Sequence, residues 1–302
     1  MAGPRRSATL EVMSEPIIAA VDPRRADRAP AALGALLSRV TGAPLLLAAT
    51  YPLDRSVDSL YPEYARSLRL DAERALRRIA AGVDAETVAL PADGSPAHAL
   101  HDLADREHAS LLVIGSSQRG QLGRVLPGAV TDRLLHGAPC PVAVAPAAFT
   151  ATAAPRVIGV AFTDAPDGRA ALDAACALAE QADALVRVFV VAEPLDWLVT
   201  GTLDGVALAD ADRARRQGAE HTLAIALEAV GPDRSAGGRT LSGRPAPALA
   251  AASGDVDLLV CGSRGYGPVR TLMLGSTSHA LVREAACPVL VALVSAGVPA
   301  AG

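Results

Sequence analysis

The chain has 302 residues and a formal net charge of -4, and hydrophobic residues fill 51% of it while aromatics supply only 3%. That charge balance speaks against nucleic acid or an acidic membrane surface as partner, because both need a concentrated positive field. All 28 basic residues are arginine, and the missing lysine disfavours a Walker-type phosphate loop, a pyridoxal Schiff base and a protein kinase together, since each is built around a lysine. The length suits two domains, with cores of Val, Leu, Ile and Ala typical of parallel sheets covered by helices. Cys140, Cys176, Cys261 and Cys287 are far apart and form no C-x-x-C pair, which fits buried thiols in a reducing compartment. No run of 18 apolar residues and no apolar leader core occur, so a cytoplasmic protein is expected. Residues 1–12 read as a polar tail, and Met13 suits a natural start as well as Met1 does.

In chain order, the first half offers strands at 17–21, 44–50, 86–90, 111–114 and 142–145, with helices near 27–41, 64–81, 96–108 and 128–137 between them. The uncharged stretch from Pro146 to Pro155 then reads as a linker. The second half repeats the pattern, with strands at 157–162, 185–192, 239–242, 258–261 and 289–294 and helices near 167–182, 207–229, 245–253 and 275–286. Alternation of this kind marks βαβ units and parallel sheets.

The halves also repeat in sequence. Ala138-Pro139-Cys140-Pro141-Val142-Ala143-Val144 returns 147 positions later as Ala285-Ala286-Cys287-Pro288-Val289-Leu290-Val291, and Ile17–Asp22 resembles Val157–Thr163 at an offset of about 141. The expected fold is α/β, with two tandem doubly wound five-stranded parallel sheets. Ligand sites in such sheets form beyond the C-terminal strand ends, so the residues after the first and fourth strands carry most weight. The connections 51–66 and 193–210 are longer than usual and are candidates for flaps covered by Tyr51, Tyr61, Tyr64 and Trp197.

After the fourth strand of the second half comes Gly262-Ser263-Arg264-Gly265, then nine residues, then Gly275-Ser276-Thr277-Ser278 at the start of a helix. Glycines allow close approach to an anion, a helix start offers free N–H groups and the positive end of the dipole, and the hydroxyls of Ser276 and Ser278 add donors. Arg264 and Arg270 supply cations where a Walker loop has lysine. A di- or triphosphate suits this arrangement, although the same residues also suit a plain turn followed by a capped helix. The first half holds Asp22 after its first strand, but its loop reads Gly115-Ser116-Ser117-Gln118, then nine residues, then Gly128-Ala129-Val130-Thr131. There Gln118 stands in place of the second glycine and Ala129 in place of the serine, while Gly120 and Gly123 offer partial compensation.

The pattern Gly262-x2-Gly265-x9-Gly275-Ser276, with Cys287-Pro288-Val289-Leu290-Val291 following, resembles the G-x2-G-x9-G-[S/T] signature of ATP-binding universal stress proteins. The resemblance covers residues 14–147 and 155–296, with a degenerate motif in the first domain and an intact one in the second. It implies a Rossmann-like fold akin to the adenine nucleotide alpha hydrolases. It also implies ATP binding, with Mg²⁺ as an optional companion, little or no catalysis, a homodimer formed through last-strand edges, and a regulatory role in stress or dormancy. Carried over, the phosphate site is Gly262, Arg264, Gly265, Gly275, Ser276, Thr277 and Ser278. Thr163 and Asp164 stand where the family has its acidic residue, and backbone groups near Val191 face adenine. In the first half the matching positions are Asp22, Gly115, Gly128 and Thr131.

Other clusters weigh less. His98, His101 and Asp102 share a helix face without a third metal ligand, and His279 suits packing or solvent. Asp22 with Asp54, and Asp164 with Asp167, are candidate paired carboxylates for acid–base work or for holding Mg²⁺, but Asp164 and Asp167 are expected rather to punctuate a turn and cap a helix. Pro141 and Pro288 open the last strands, which also suits a ligand-independent dimerising module with vestigial sites. An enzyme akin to adenylyl-transferring folds lacks an identifiable base, and no catalytic residue is expected.

Overall fold

The computed structural model describes residues 15–25, 27–53, 61–116, 129–147, 149–150, 153–194, 205–263 and 275–294. They form two compact units, residues 1–154 and 155–302.

The first unit runs β1 (Ile17–Val21), α1 (Ala29–Thr41), β2 (Leu45–Pro52), α2 (Pro62–Ala80), β3 (Glu86–Ala92), α3 (Pro96–Arg106), β4 (Leu111–Gly115), α4 (Ala129–Leu135) and β5 (Val142–Ala145). All strand pairs are parallel, in the order β3-β2-β1-β4-β5. The central strands β1 and β4 bury nearly every side chain, which is why they read as unbroken apolar runs rather than alternating ones. Proline at the first or second position starts α1, α2 and α3, where its missing N–H costs nothing. Ser95 caps α3 by accepting the His98 N–H at 3.3 Å. The Arg28 guanidinium, at the start of α1, donates to the carbonyls of Ile79 and Ala81 at 2.7 and 2.8 Å, placing a cation at the negative end of α2.

The second unit runs β6 (Val157–Ala161), α5 (Pro166–Ala182), β7 (Leu185–Ala192), α6 (Gly205–Val230), β8 (Ser235–Ser242), α7 (Pro245–Ala252), β9 (Leu258–Gly262), α8 (Ser276–Glu284) and β10 (Val289–Ala292). Its parallel order is β8-β7-β6-β9-β10. In each unit one helix covers the first and fourth strands, α1 on β1 and β4 and α5 on β6 and β9. The two-domain α/β organisation is therefore as the alternation implied.

Two details differ from the sequence reading. Strand β8 begins at Ser235 rather than 239, so the pair Gly237-Gly238 lies inside the strand. Val186 faces Ser235 while Val188 faces Gly238, so β8 carries one extra residue as a bulge, and Gly237 takes the φ of 82° this requires. Strand β2 continues to Pro52 and buries Tyr51 to 8% exposure, so Tyr51 belongs to the core and not to a flap. Tyr61 and Tyr64 are exposed at the start of α2, and Trp197 lies outside the described residues. Among the described residues, no helix is long and apolar enough to cross a membrane.

Candidate functional site: paired crevices at the strand ends

Each sheet reverses its winding direction between its first and fourth strands, which leaves a crevice beyond their C-terminal ends. Ile17 faces Leu111 in the first unit as Ile158 faces Leu258 in the second. This shared register makes Asp22 equivalent to Thr163 and Gly115 equivalent to Gly262.

In the second unit, helix α8 begins at Ser276 after Gly275, whose extended backbone (φ -72°, ψ 160°) bears no side-chain cap. Ser276 is exposed and Thr277 half-buried. Ser278 is buried, and its hydroxyl donates to the Gly262 carbonyl at 2.8 Å. This bond uses the hydroxyl hydrogen, expected to serve a phosphate, to fasten α8 to the end of β9. Gly262 likewise has a structural reason to be glycine, since a Cβ there would lie 2.4 Å from the Asp167 carbonyl oxygen of α5.

Thr163 is exposed beyond β6, in a turn so tight that a Cβ on Gly168 would sit 2.1 Å from its carbonyl oxygen. Asp164 does not cap α5, whose N-cap is Ala165 without a side-chain bond. It pairs instead with Arg169, in the first turn of α5, at 2.6 and 3.0 Å. Val191 is half-buried on β7. Burial pushes the Cys261 thiol up to about 12, with the Ser278 hydroxyl pulling weakly the other way, so Cys261 stays protonated and unreactive beside the site. Arg264, Gly265 and Arg270 lie outside the described residues.

In the first unit the crevice opens into a cavity of about 420 Å³ whose lining includes Asp22, Arg24, Arg25, Thr50, Ser116 and Thr131. Asp22 accepts the Arg24 backbone N–H at 2.9 Å and lies 3.4 Å from the Arg25 Nε. Asp27 accepts the Ala29 N–H at 2.9 Å, which serves the start of α1. Ser116 is 6% exposed, and its hydroxyl has no hydrogen-bond partner among the described residues. Thr131 donates weakly to the Gly115 carbonyl, at 3.4 Å, in the place Ser278 holds in the second unit. Gly128, Gln118, Gly120 and Gly123 lie outside the described residues.

Arg24, Arg25 and Thr50 escape a reading anchored on the glycine motif. The signal for the two arginines is the connection that carries them, which spans seven residues (22–28) between β1 and α1 against four (162–165) between β6 and α5. The histidine cluster is structural: His98 lies 3.5 Å from Asp102, and a ring nitrogen of His101 bonds the Leu134 carbonyl at 3.0 Å. The described residues contain no group of three or more His, Cys, Asp or Glu able to hold a metal, and Asp54 falls outside them.

The family model described as "Universal stress protein family" matches residues 13–146 and again 155–292. The chain belongs to the universal stress protein family. A universal stress protein of Mycobacterium tuberculosis is 33% identical over 192 residues, which cover 61% of this chain and 62% of that protein. The chain thus spans less than two thirds of that relative's length. A universal stress protein of Thermus aquaticus is 46% identical over 83 residues, 27% of this chain and 60% of that one. The crystal structure of a universal stress protein from Archaeoglobus fulgidus aligns with a TM-score of 0.61 at 18% identity, covering 93% of this chain and 98% of that one, which establishes the shared fold.

Proposed function

We propose that this universal stress protein is a cytoplasmic regulatory protein whose second unit binds an adenine nucleotide of the ATP type, with Mg²⁺ as companion, and that it senses the nucleotide rather than turning it over. The observation that carries this reading is the start of α8. Gly275 leaves the first-turn amides without a side-chain acceptor, and the Ser278 bond holds that helix start beside Gly262 at the crevice. Amides fixed in this way favour a polyphosphate through both hydrogen bonding and the helix dipole. Homodimer formation and a role in stress or dormancy belong to the same reading.

The test is thermal unfolding with and without millimolar ATP and Mg²⁺. At a hundredfold excess over Kd, a ligand that binds only the folded state contributes about 2.7 kcal/mol, and a rise in Tm of several degrees is expected. Gly275→Asp places a carboxylate against the phosphates and removes that rise. A wild-type protein whose Tm ignores ATP overturns the reading.

A further inference from the structure

We propose that the first unit's crevice is a distinct site selective for a nucleoside monophosphate, whose phosphate is held by Arg24 and Arg25, rather than a second triphosphate site. The proposal rests on the reading of these crevices as nucleotide sites, and it concerns the residues in which the two units differ.

The seven residues 22–28 between β1 and α1 carry Arg24 and Arg25 to the lining of the 420 Å³ cavity, a volume within the range of small-molecule sites. The second unit makes the same passage in four residues, 162–165, with no arginine among them.

Charge and hydrogen bonding then narrow the ligand. Asp22 and Asp27 both line the cavity and each accepts one backbone N–H, and Asp22 also lies beside Arg25. The lining therefore offers two carboxylates with acceptor sites left for hydroxyls and, in the same loop, two guanidinium groups that pair with a phosphate, a balance that suits one phosphate better than three. A ribose carrying one phosphate presents that combination. The buried Ser116 hydroxyl, unpartnered among the described residues, lines the same cavity, and a buried hydroxyl costs stability until something satisfies it.

The sequence also disfavours a polyphosphate here. In the sequence, Gln118 and Ala129 stand where the second half has Gly265 and Ser276, so the first half lacks one glycine and one hydroxyl of the motif.

The experiment is calorimetric titration of the full chain carrying Gly275→Asp, which silences the second unit, with 5′-AMP, 3′-AMP and ATP. One of the two monophosphates is expected to bind at a single site at least about tenfold more tightly than ATP. Adding Arg24→Ala and Arg25→Ala should weaken it at least about tenfold, a usual scale for charge-assisted contacts to phosphate. Ser116→Ala should weaken it by a smaller factor. The 5′ and 3′ arms report which ribose edge faces the arginines. Arg25 is well exposed, and circular dichroism melts check that the variants fold. The proposal is overturned if neither monophosphate binds, if ATP binds as tightly, or if the arginine pair can be removed without effect. Monophosphate binding by the Gly275→Asp chain, together with a wild-type Tm indifferent to ATP, supports this proposal and removes only the second-unit reading. The converse pattern removes this proposal and leaves the other standing.

Discussion

The connections β1–α1 and β6–α5 leave equivalent strands and reach equivalent helices, yet one takes seven residues and the other four. The short one draws Thr163 against the third residue of α5, which is Gly168; after the long one, the third residue of α1 is a buried alanine, Ala31. One sheet frame thus produces two different crevices through the length of a single loop. Gly168→Ala has the largest expected effect. The new methyl would lie 2.1 Å from the Thr163 carbonyl oxygen, a backbone atom that cannot rotate away, and a loss of about 3 kcal/mol is expected. The reverse exchange in the first unit, Ala31→Gly, should cost only about 1 kcal/mol, the usual helical penalty. Urea denaturation measures both, and a Gly168→Ala protein as stable as wild type would refute the tight turn.

A smaller contrast separates the glycines that end the fourth strands. A Cβ on Gly262 meets the Asp167 carbonyl oxygen at 2.4 Å, whereas one on Gly115 meets the Pro30 Cγ at 3.1 Å and an Asp27 carboxylate oxygen at 3.3 Å. Gly262→Ala is therefore expected to cost about 2 kcal/mol and Gly115→Ala under about 1 kcal/mol. Calorimetric melting decides the order, and equal losses would mean that both helices stand equally close to their strands.

These contrasts show where the sequence was legible. Strands such as Leu111–Gly115 and Leu258–Gly262 are apolar throughout because both faces are covered, so their unbroken apolar runs marked them. The start of β8 was hidden because Gly237-Gly238 carries the chemistry of a turn while serving as a bulge. The glycine motif marked Gly262 but not its reason, since a requirement for close helix contact and one for phosphate approach both select glycine. Arg24 and Arg25 were hidden for a different cause. The repeat offset rises from about 141 at the first strand to 147 at the fourth, which marks extra residues in the second half and masks the longer first-half loop; only the element bounds, with the register that pairs Ile17 with Leu111 and Ile158 with Leu258, show that 22–28 outnumber 162–165.

The smallest expected effect concerns the hydroxyl that joins the last helix to the fourth strand in each unit. Ser278 donates to the Gly262 carbonyl at 2.8 Å, and Thr131 to the Gly115 carbonyl at 3.4 Å. The shorter bond joins a buried hydroxyl to a strand end. Ser278→Ala therefore leaves that carbonyl without its donor, at a cost of about 1 kcal/mol. Thr131→Val keeps the shape and gives up a bond near the limit of useful length, so its cost should stay below about 0.5 kcal/mol. Chemical denaturation in the absence of nucleotide reads this difference directly. Because the Ser278 hydrogen already points at protein, its removal should appear in the nucleotide-free protein as a loss of stability. Had the hydroxyl served the phosphate instead, Ser278→Ala would leave the free protein unchanged and weaken ATP alone, and that result would return Ser278 to the ligand side of the site.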